Sequence, residues 1–413
     1  RAITVTAAAD TKTYDGTAAG TAGPAVTSGS VVAGDTGNFT QAFDTRNAGT
    51  GKLVTPAGAV SDGNGGANYA VTFVADTVGT ITARAITVTA AANSRVYDGT
   101  TAAAATPTVT AGSIVAGDAG SFTEAYDTRD AGTGKTLTPA GTVSDGNGGN
   151  NYVVTFAPAT TGVVTPRAIT VTAATDTKGY DGTTASAGTP TVTAGALVAG
   201  DTGAFTQVFA DRNAGTGKTL TAAGTVADGN GGNNYAVTFA NAATGVVTAR
   251  PITVTAVTDS KPFDGTTASA GVPVVTGGSV VAGDTPAFTQ TFDTPAVGTG
   301  KTLTPTGAVS DGNGGANYAV TFVADTTGEI TVGTTVAVAT SQAMVVYGTA
   351  VTFTATVAVT APGTGTPTGT VTFADGATTI GTGTLDGSGT ASVTTPSLGV
   401  GAHTITATYG GDA

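Results

Sequence analysis

Few residues in this 413-residue chain are equipped for covalent chemistry. The only histidine is His403, in AHTITATY, and cysteine is absent. That excludes disulfides, thiolate metal sites and cysteine nucleophiles, and one histidine with no paired-carboxylate motif leaves little from which to build a nucleophile–base site. His403 reads as a residue flanking a strand, and no enzyme is expected. Carboxylates offer more. In SDGNGG, Asp62 and Asn64 alternate as oxygen ligands do in a calcium loop, but the twelfth position would be Phe73 where such a loop needs Glu. Asp-Gly and Asn-Gly are also strong tight-turn dipeptides. A turn is the leading reading; calcium here, or at domain junctions through acids such as Asp10 and Asp76, is the weaker alternative, and no other cofactor is expected. Gly134-Lys135-Thr136 imitates the end of a phosphate loop, yet the required first glycine falls on Arg129, or on Pro295 in the last copy, and a strand comes next. Lys52 and its counterparts are therefore expected at the surface or paired with local carboxylates such as Asp44. A Lys–Asn isopeptide crosslink would need both residues buried beside an acid, which nothing in the spacing requires. Threonine runs evoke ice or sugar binding, but such arrays need an untwisted sheet, and Thr is a good exposed strand residue in any case.

The elements that carry these residues recur. RAITVTA starts at Arg1, Arg84 and Arg167, and RPITVTA at Arg250, a constant period of 83 residues. This divides the chain into copies 1–83, 84–166, 167–249 and 250–332, followed by 333–413, which lacks the landmarks. Tyr-Asp-Gly starts at Tyr14, Tyr97 and Tyr180, and returns as Phe-Asp-Gly at Phe263; the Phe means that no chemistry common to all copies needs the hydroxyl. An aromatic ring packed at one end of a sandwich, followed by an Asp-Gly turn, accounts for the motif. AGD recurs at Asp118, Asp201 and Asp284, and DGNGG leads each time to an Asn-Tyr pair, with Tyr69, Tyr152, Tyr235 and Tyr318. Each such tyrosine opens a strand, the position of a tyrosine corner bonded to nearby backbone. The Asn before it is expected to satisfy loop amides.

Within a copy, ITVTA alternates apolar residues with Thr, Phe39 and Phe43 share a strand face, and Tyr69, Val71 and Phe73 alternate again. About seven strands, of ten residues or fewer, with frequent turns describe a β-sandwich. No ten-residue run has helical spacing. Aromatics are 6% and charged residues 10%, with 63 Gly, a balance that suits packed strands rather than disorder. The formal net charge of −12 argues against nucleic acid. No apolar stretch is long enough to span a membrane. The fold expected is all-β: tandem Ig-like β-sandwich domains, each with its own small core, end to end as a rod. Strand runs directly into strand at Thr82-Ala83-Arg84.

The landmarks YDG, GxGK, GxNY and ITxRxITVT together resemble the YDG-type repeats of large bacterial surface adhesins. VTFADG and LGVGAHTITATYGGD resemble a bacterial Ig-like repeat, whose last strand normally continues past the point reached at Ala413, so the fifth domain is expected to lack its final strand residues. The resemblance implies a structural stalk or spacer in a secreted or cell-surface protein, meeting a host or neighbouring cell through domains outside this sequence. The alternatives are repeats that themselves bind glycan or protein multivalently, and self-assembly into a matrix or filament, including lateral contacts at exposed edge strands.

Overall fold

The computed structural model describes residues 1–396 and 398–411; Ser397, Asp412 of the YGGD run and Ala413 lie outside the described residues. Among the described residues every element is a strand. The first copy has seven: β1 (Ala2–Thr6), β2 (Asp10–Thr13), β3 (Ala25–Ser28), β4 (Thr36–Phe43), β5 (Gly49–Ser61), β6 (Ala70–Val74) and β7 (Asp76–Thr82). They form two sheets, ordered β3-β1-β6 and β2-β7-β5-β4. β1 pairs antiparallel with β3 and parallel with β6, and β2 pairs parallel with β7. The same two sheets recur in the other three copies.

Local sequence explains the strands. In β1, Ile3 and Val5 are buried while Thr4 and Thr6 stand half-exposed, the period-two alternation of a sheet with one covered face. Thr6 hydrogen-bonds its cross-strand neighbour Thr27 at 2.7 Å between hydroxyls. β5 runs to thirteen residues, beyond the ten expected, because GTGK forms its beginning, with register shifts around Lys52. Such irregularities bend a strand and increase its local twist.

The chain divides into two compact units: residues 1–173, 189–206 and 222–241 in one, and 174–188, 207–221 and 242–413 in the other. The third copy is thus shared between them. In the first unit, the packing departs from the expectation of one core per copy. Phe39 and Phe43 do lie on one face of β4, yet they enter different clusters. Phe39 packs with Ile3, Val5, Val60 and Tyr69 of its own copy. Phe43 packs with Tyr14, Val54 and Ile81, and with Ile86, Val88 and Tyr152 of the second copy. Tyr97, Tyr126, Leu137 and Val164 likewise share a cluster with Ile169, Val171, Val226 and Tyr235. The cause is the handover: β7 ends at Thr82 and the next strand, Arg84–Thr89, begins after one residue, in the three-stranded sheet of the following copy. With so little chain between them, the two sheets cover one another's apolar faces, and each fully buried Ile or Val there contributes about 1.5–3 kcal/mol.

In the second unit, the fourth copy has a cluster of Ala256, Phe292, Leu303 and Ile330. The fifth domain has a separate core of its own. Its strands Thr334–Thr340, Val351–Val359 and Thr390–Thr395 form one sheet, and Thr370–Asp375, Thr378–Thr384 and Ile405–Tyr409 the other. Val351, Phe353, Ala355 and Val357 alternate inward against Val371 and Phe373.

Candidate functional site

The Tyr-Asp-Gly turn comes directly after β2. The Tyr14 amide donates to Thr82 O at 2.9 Å, which fixes the start of the turn on the end of β7. Asp15 closes the turn: its Oδ1 accepts from the amide and hydroxyl of Thr17, both at 2.9 Å, and from Lys12 Nζ at 2.8 Å. Burial opposes ionisation of Asp15, but the Lys12 and Thr17 donors outweigh it and hold the carboxyl below the usual range. Lys12 is buried, and its ammonium is satisfied by Asp15, by Thr17 and by Ala19 O at 2.8 Å. Gly16 has a φ of 81°, and a Cβ there would lie 2.6 Å from Val115 Cγ1 of the second copy. Only glycine meets both demands.

The hydroxyl of Tyr14 reaches across as well. It donates to Asp118 Oδ2 at 2.9 Å, and Tyr152 donates to the same oxygen at 2.8 Å. Arg46 Nη2 stands 3.4 Å from the other oxygen, Oδ1. The Asp118 side chain is 1% exposed, so a buried charge is held by two phenols and a guanidinium. The two rings pack edge to face with centroids 5.5 Å apart, a contact worth about 0.5–1.5 kcal/mol beyond its area. The second junction repeats the arrangement with Tyr97 and Tyr235 on Asp201 at 3.0 and 2.7 Å, and the third with Tyr180 and Tyr318 on Asp284 at 2.8 and 2.7 Å. Arg129 and Arg212 take the place of Arg46. Burial first, then the carboxylate, pushes the Tyr152, Tyr235 and Tyr318 phenols up to about 12, against the opposing effect of the backbone amide each accepts from. They are donors at any physiological pH.

A second set of bonds lies beside the first. Asp145 gathers its own loop, accepting from the Asn147 and Gly149 amides at 2.7 and 2.8 Å and from Asn151 N at 2.9 Å. Burial disfavours its charge, but these amides prevail, and the carboxyl lies below the usual range, as do those of Asp228 and Asp311. The loop presents the fully buried Asn151, whose Oδ1 accepts from Ala48 N of the preceding copy at 2.8 Å. Asn234 and Asn317 accept from Ala131 and Ala214 in the same way, both at 2.7 Å. The chemistry of this constellation is hydrogen bonding and charge neutralisation between copies.

The fourth copy differs at the four positions that make hydrogen bonds or ion pairs to the following copy elsewhere. Phe263 stands for the tyrosine, Pro295 for the arginine, Ala296 for the polar residue after it, and Val297 for Ala48. Its neighbour along the chain is the fifth domain, which has neither an AGD loop nor an Asn-Tyr pair. Phe263 is only partly buried, whereas Tyr14 and Tyr97 are fully so. A Cβ at Gly265 would find its nearest neighbour, Pro362, at 3.9 Å.

The residues singled out in the sequence fall into place individually. Asp62 is spent on its own loop, accepting from Asn64 N, Gly66 N and Asn68 N at 2.7–3.0 Å. Asn64 donates to Asn68 Oδ1 at 3.2 Å, so Asp62, rather than Asn68, satisfies the loop amides. Asp10 is buried and accepts from Thr21, Ala22 and Gln41. Asp76 is exposed and accepts from Thr77 N at 2.7 Å. Among the described residues no three His, Asp or Glu side chains cluster as metal ligands do. Lys52 pairs with Asp44 at 3.0 Å, as expected, and shares no hydrogen-bond partner with Asn68. His403 Nδ1 lies 2.5 Å from Asp375 Oδ2 and Nε2 3.0 Å from Gly399 O. The tyrosine-corner expectation holds in part: the Tyr69 hydroxyl accepts from a backbone amide, Val32 N at 2.9 Å, but one distant in sequence, and it also donates to the Asp35 carboxylate at 2.7 Å. Sequence reasoning named Tyr14 and Asp118 separately and passed over Arg46. The signal that links them is the joint loss at Phe263, Pro295 and Ala296.

Comparison with known proteins agrees with the internal repeats. The family model of the YDG domain matches residues 1–78, 82–161, 165–244 and 248–328, and that of the bacterial Ig-like domain (group 3) matches 338–413. No curated protein matches the chain. Among solved structures, FdeC, an Escherichia coli adhesin, is 16% identical over 63% of this chain and 83% of its own, with a TM-score of 0.18. The surface layer protein SbsC, domains 1–6, is 13% identical over 79% of this chain and 52% of its own, with a TM-score of 0.16. At TM-scores this low, neither likeness bears on the role of the chain. No helix of the described residues is long and apolar enough to cross a membrane.

Proposed function

Because the chain belongs to the YDG domain family and carries a bacterial Ig-like domain (group 3), we propose that it is a non-catalytic spacer of a bacterial surface adhesin. It holds a binding domain, encoded elsewhere in the protein, away from the cell. One observation carries this reading: in each of the first three copies the Tyr-Asp-Gly tyrosine is spent on binding the next copy. Tyr14, Tyr97 and Tyr180 each reach an aspartate 104 residues further along. A ligand-binding repeat would keep such groups for its ligand. A spacer uses them to restrict bending between neighbours, which adds reach per residue and limits the entropy lost when the tip engages.

Small-angle scattering of the chain, with calcium and then with chelator, tests the proposal. An elongated, stiff profile indifferent to chelator is expected. A compact particle in both conditions would overturn the spacer reading. Shortening on chelation would assign the stiffness to ions at the junctions instead.

A further inference from the structure

The bonds between copies have a direction. The earlier copy supplies tyrosine, arginine and a backbone amide; the later copy supplies the AGD aspartate and the Asn-Tyr loop. The first copy carries the whole accepting set, Val32, Asp35, Asp62, Asn68 and Tyr69, with its internal bonds already made. What it lacks is cover. Asn68 is exposed where Asn151, Asn234 and Asn317 are fully buried. Val32 is 46% exposed, whereas Val115 packs against the core shared by the first two copies.

We propose that this face of the first copy, residues 32–35 and 62–69, is a docking surface for the Tyr-Asp-Gly end of a further YDG copy, and that it selects its partner by side chain. The occupant must present a tyrosine hydroxyl and a guanidinium to Asp35, a free amide to Asn68 Oδ1, and a glycine where Val32 approaches. The same face on the three later copies is covered by a partner of this kind, so the surface continues an interface seen three times. Charge agrees, since among the described residues no arginine pairs with the Asp35 carboxylate as Arg46 pairs with Asp118. A copy of the fourth type is rejected: Phe263, Pro295 and Ala296 bring neither hydroxyl nor guanidinium nor polar side chain.

The test extends the chain by one copy. The 84–166 sequence is joined in phase ahead of Arg1, once unchanged and once with Tyr97→Phe, Arg129→Pro and Asp130→Ala in the added copy alone. Hydrogen exchange is followed in peptides covering 32–35 and 62–69. In the unextended chain these exchange at least tenfold faster than their equivalents around Val115 and Asn151. The unchanged extension brings them level; the substituted one leaves most of the difference in place. Exchange at the equivalents around Val198 and Asn234 reports, in each chain, that the native copies are folded. Asp35→Ala in the unchanged extension removes the slowing. Equal slowing by both extensions would overturn selection by side chain, and no slowing by either would overturn the docking surface itself.

Discussion

Tyr97 and Asp201 belong to different sequence repeats and lie 104 residues apart, yet the phenol donates to the carboxylate at 3.0 Å with Tyr235 on the same oxygen. The aspartate side chain is 2% exposed, so each donor it keeps offsets a substantial desolvation cost.

Tyr97→Phe deletes one donor and leaves Tyr235 and Arg129. Hydrogen bonds to charged groups are worth about 1.5–3 kcal/mol, and the remaining donors soften the loss to about 1–2 kcal/mol. Urea unfolding followed by circular dichroism reads the change. Phe263→Tyr, at a position with no such acceptor, is expected to stay within about 0.5 kcal/mol of the parent. Equal effects at the two positions would contradict the pairing.

Gly99 and Gly265 have the same backbone demand, with φ of 82° and 75°. Their surroundings differ: a Cβ at Gly99 would lie 2.6 Å from Val198 Cγ1, and one at Gly265 would lie 3.9 Å from Pro362. Alanine at either site costs about 1 kcal/mol for the left-handed conformation. Gly99→Ala adds about 1–3 kcal/mol of overpacking at the junction. The expected order of melting temperatures is parent, Gly265→Ala, then Gly99→Ala.

In the second copy, Asn93 and Glu124 exchange the chemical roles of Asp10 and Gln41. Gln41 donates to Asp10 at 3.2 Å and accepts from Ala8 N at 3.0 Å. Glu124 keeps only the amide bond, from Ala91 N at 2.8 Å, and among the described residues its Oε1 and Asn93 Nδ2 are buried without partners. The double variant N93D/E124Q restores the first copy's arrangement and is expected to stabilise the second by about 1–3 kcal/mol. N93D alone places two carboxylates together and is expected to destabilise. Calorimetry of the three chains distinguishes the signs.

His403 responds to pH in the fifth domain. Its hydrogen bond to Gly399 O and its pairing with Asp375 raise the imidazole above its usual value of 6.5. A raised folded value means that the stabilisation is fully present below the unfolded value and disappears as pH climbs through the folded one. The melting temperature of this domain is therefore expected to be higher at slightly acidic than at slightly alkaline pH. His403→Asn should flatten the dependence across that window.

Much of the fold is legible in the sequence because the interactions that specify it are local. Ile3 and Val5 alternate with threonine and form a strand; Asp62 and its glycines form a turn; the period of 83 residues counts the copies. Strand polarity and turn type depend on residues a few positions apart, and their pattern can be read directly along the chain. The pairing of Tyr97 with Asp201 cannot be read this way. Phe39 and Phe43 occupy one strand face with the same spacing rule, and nothing in that rule tells that one packs in its own copy and the other across the border. Those outcomes depend on how two sheets joined by a single residue cover each other's apolar faces. Only the tertiary structure decides that, because burial is shared among side chains more than a whole repeat apart.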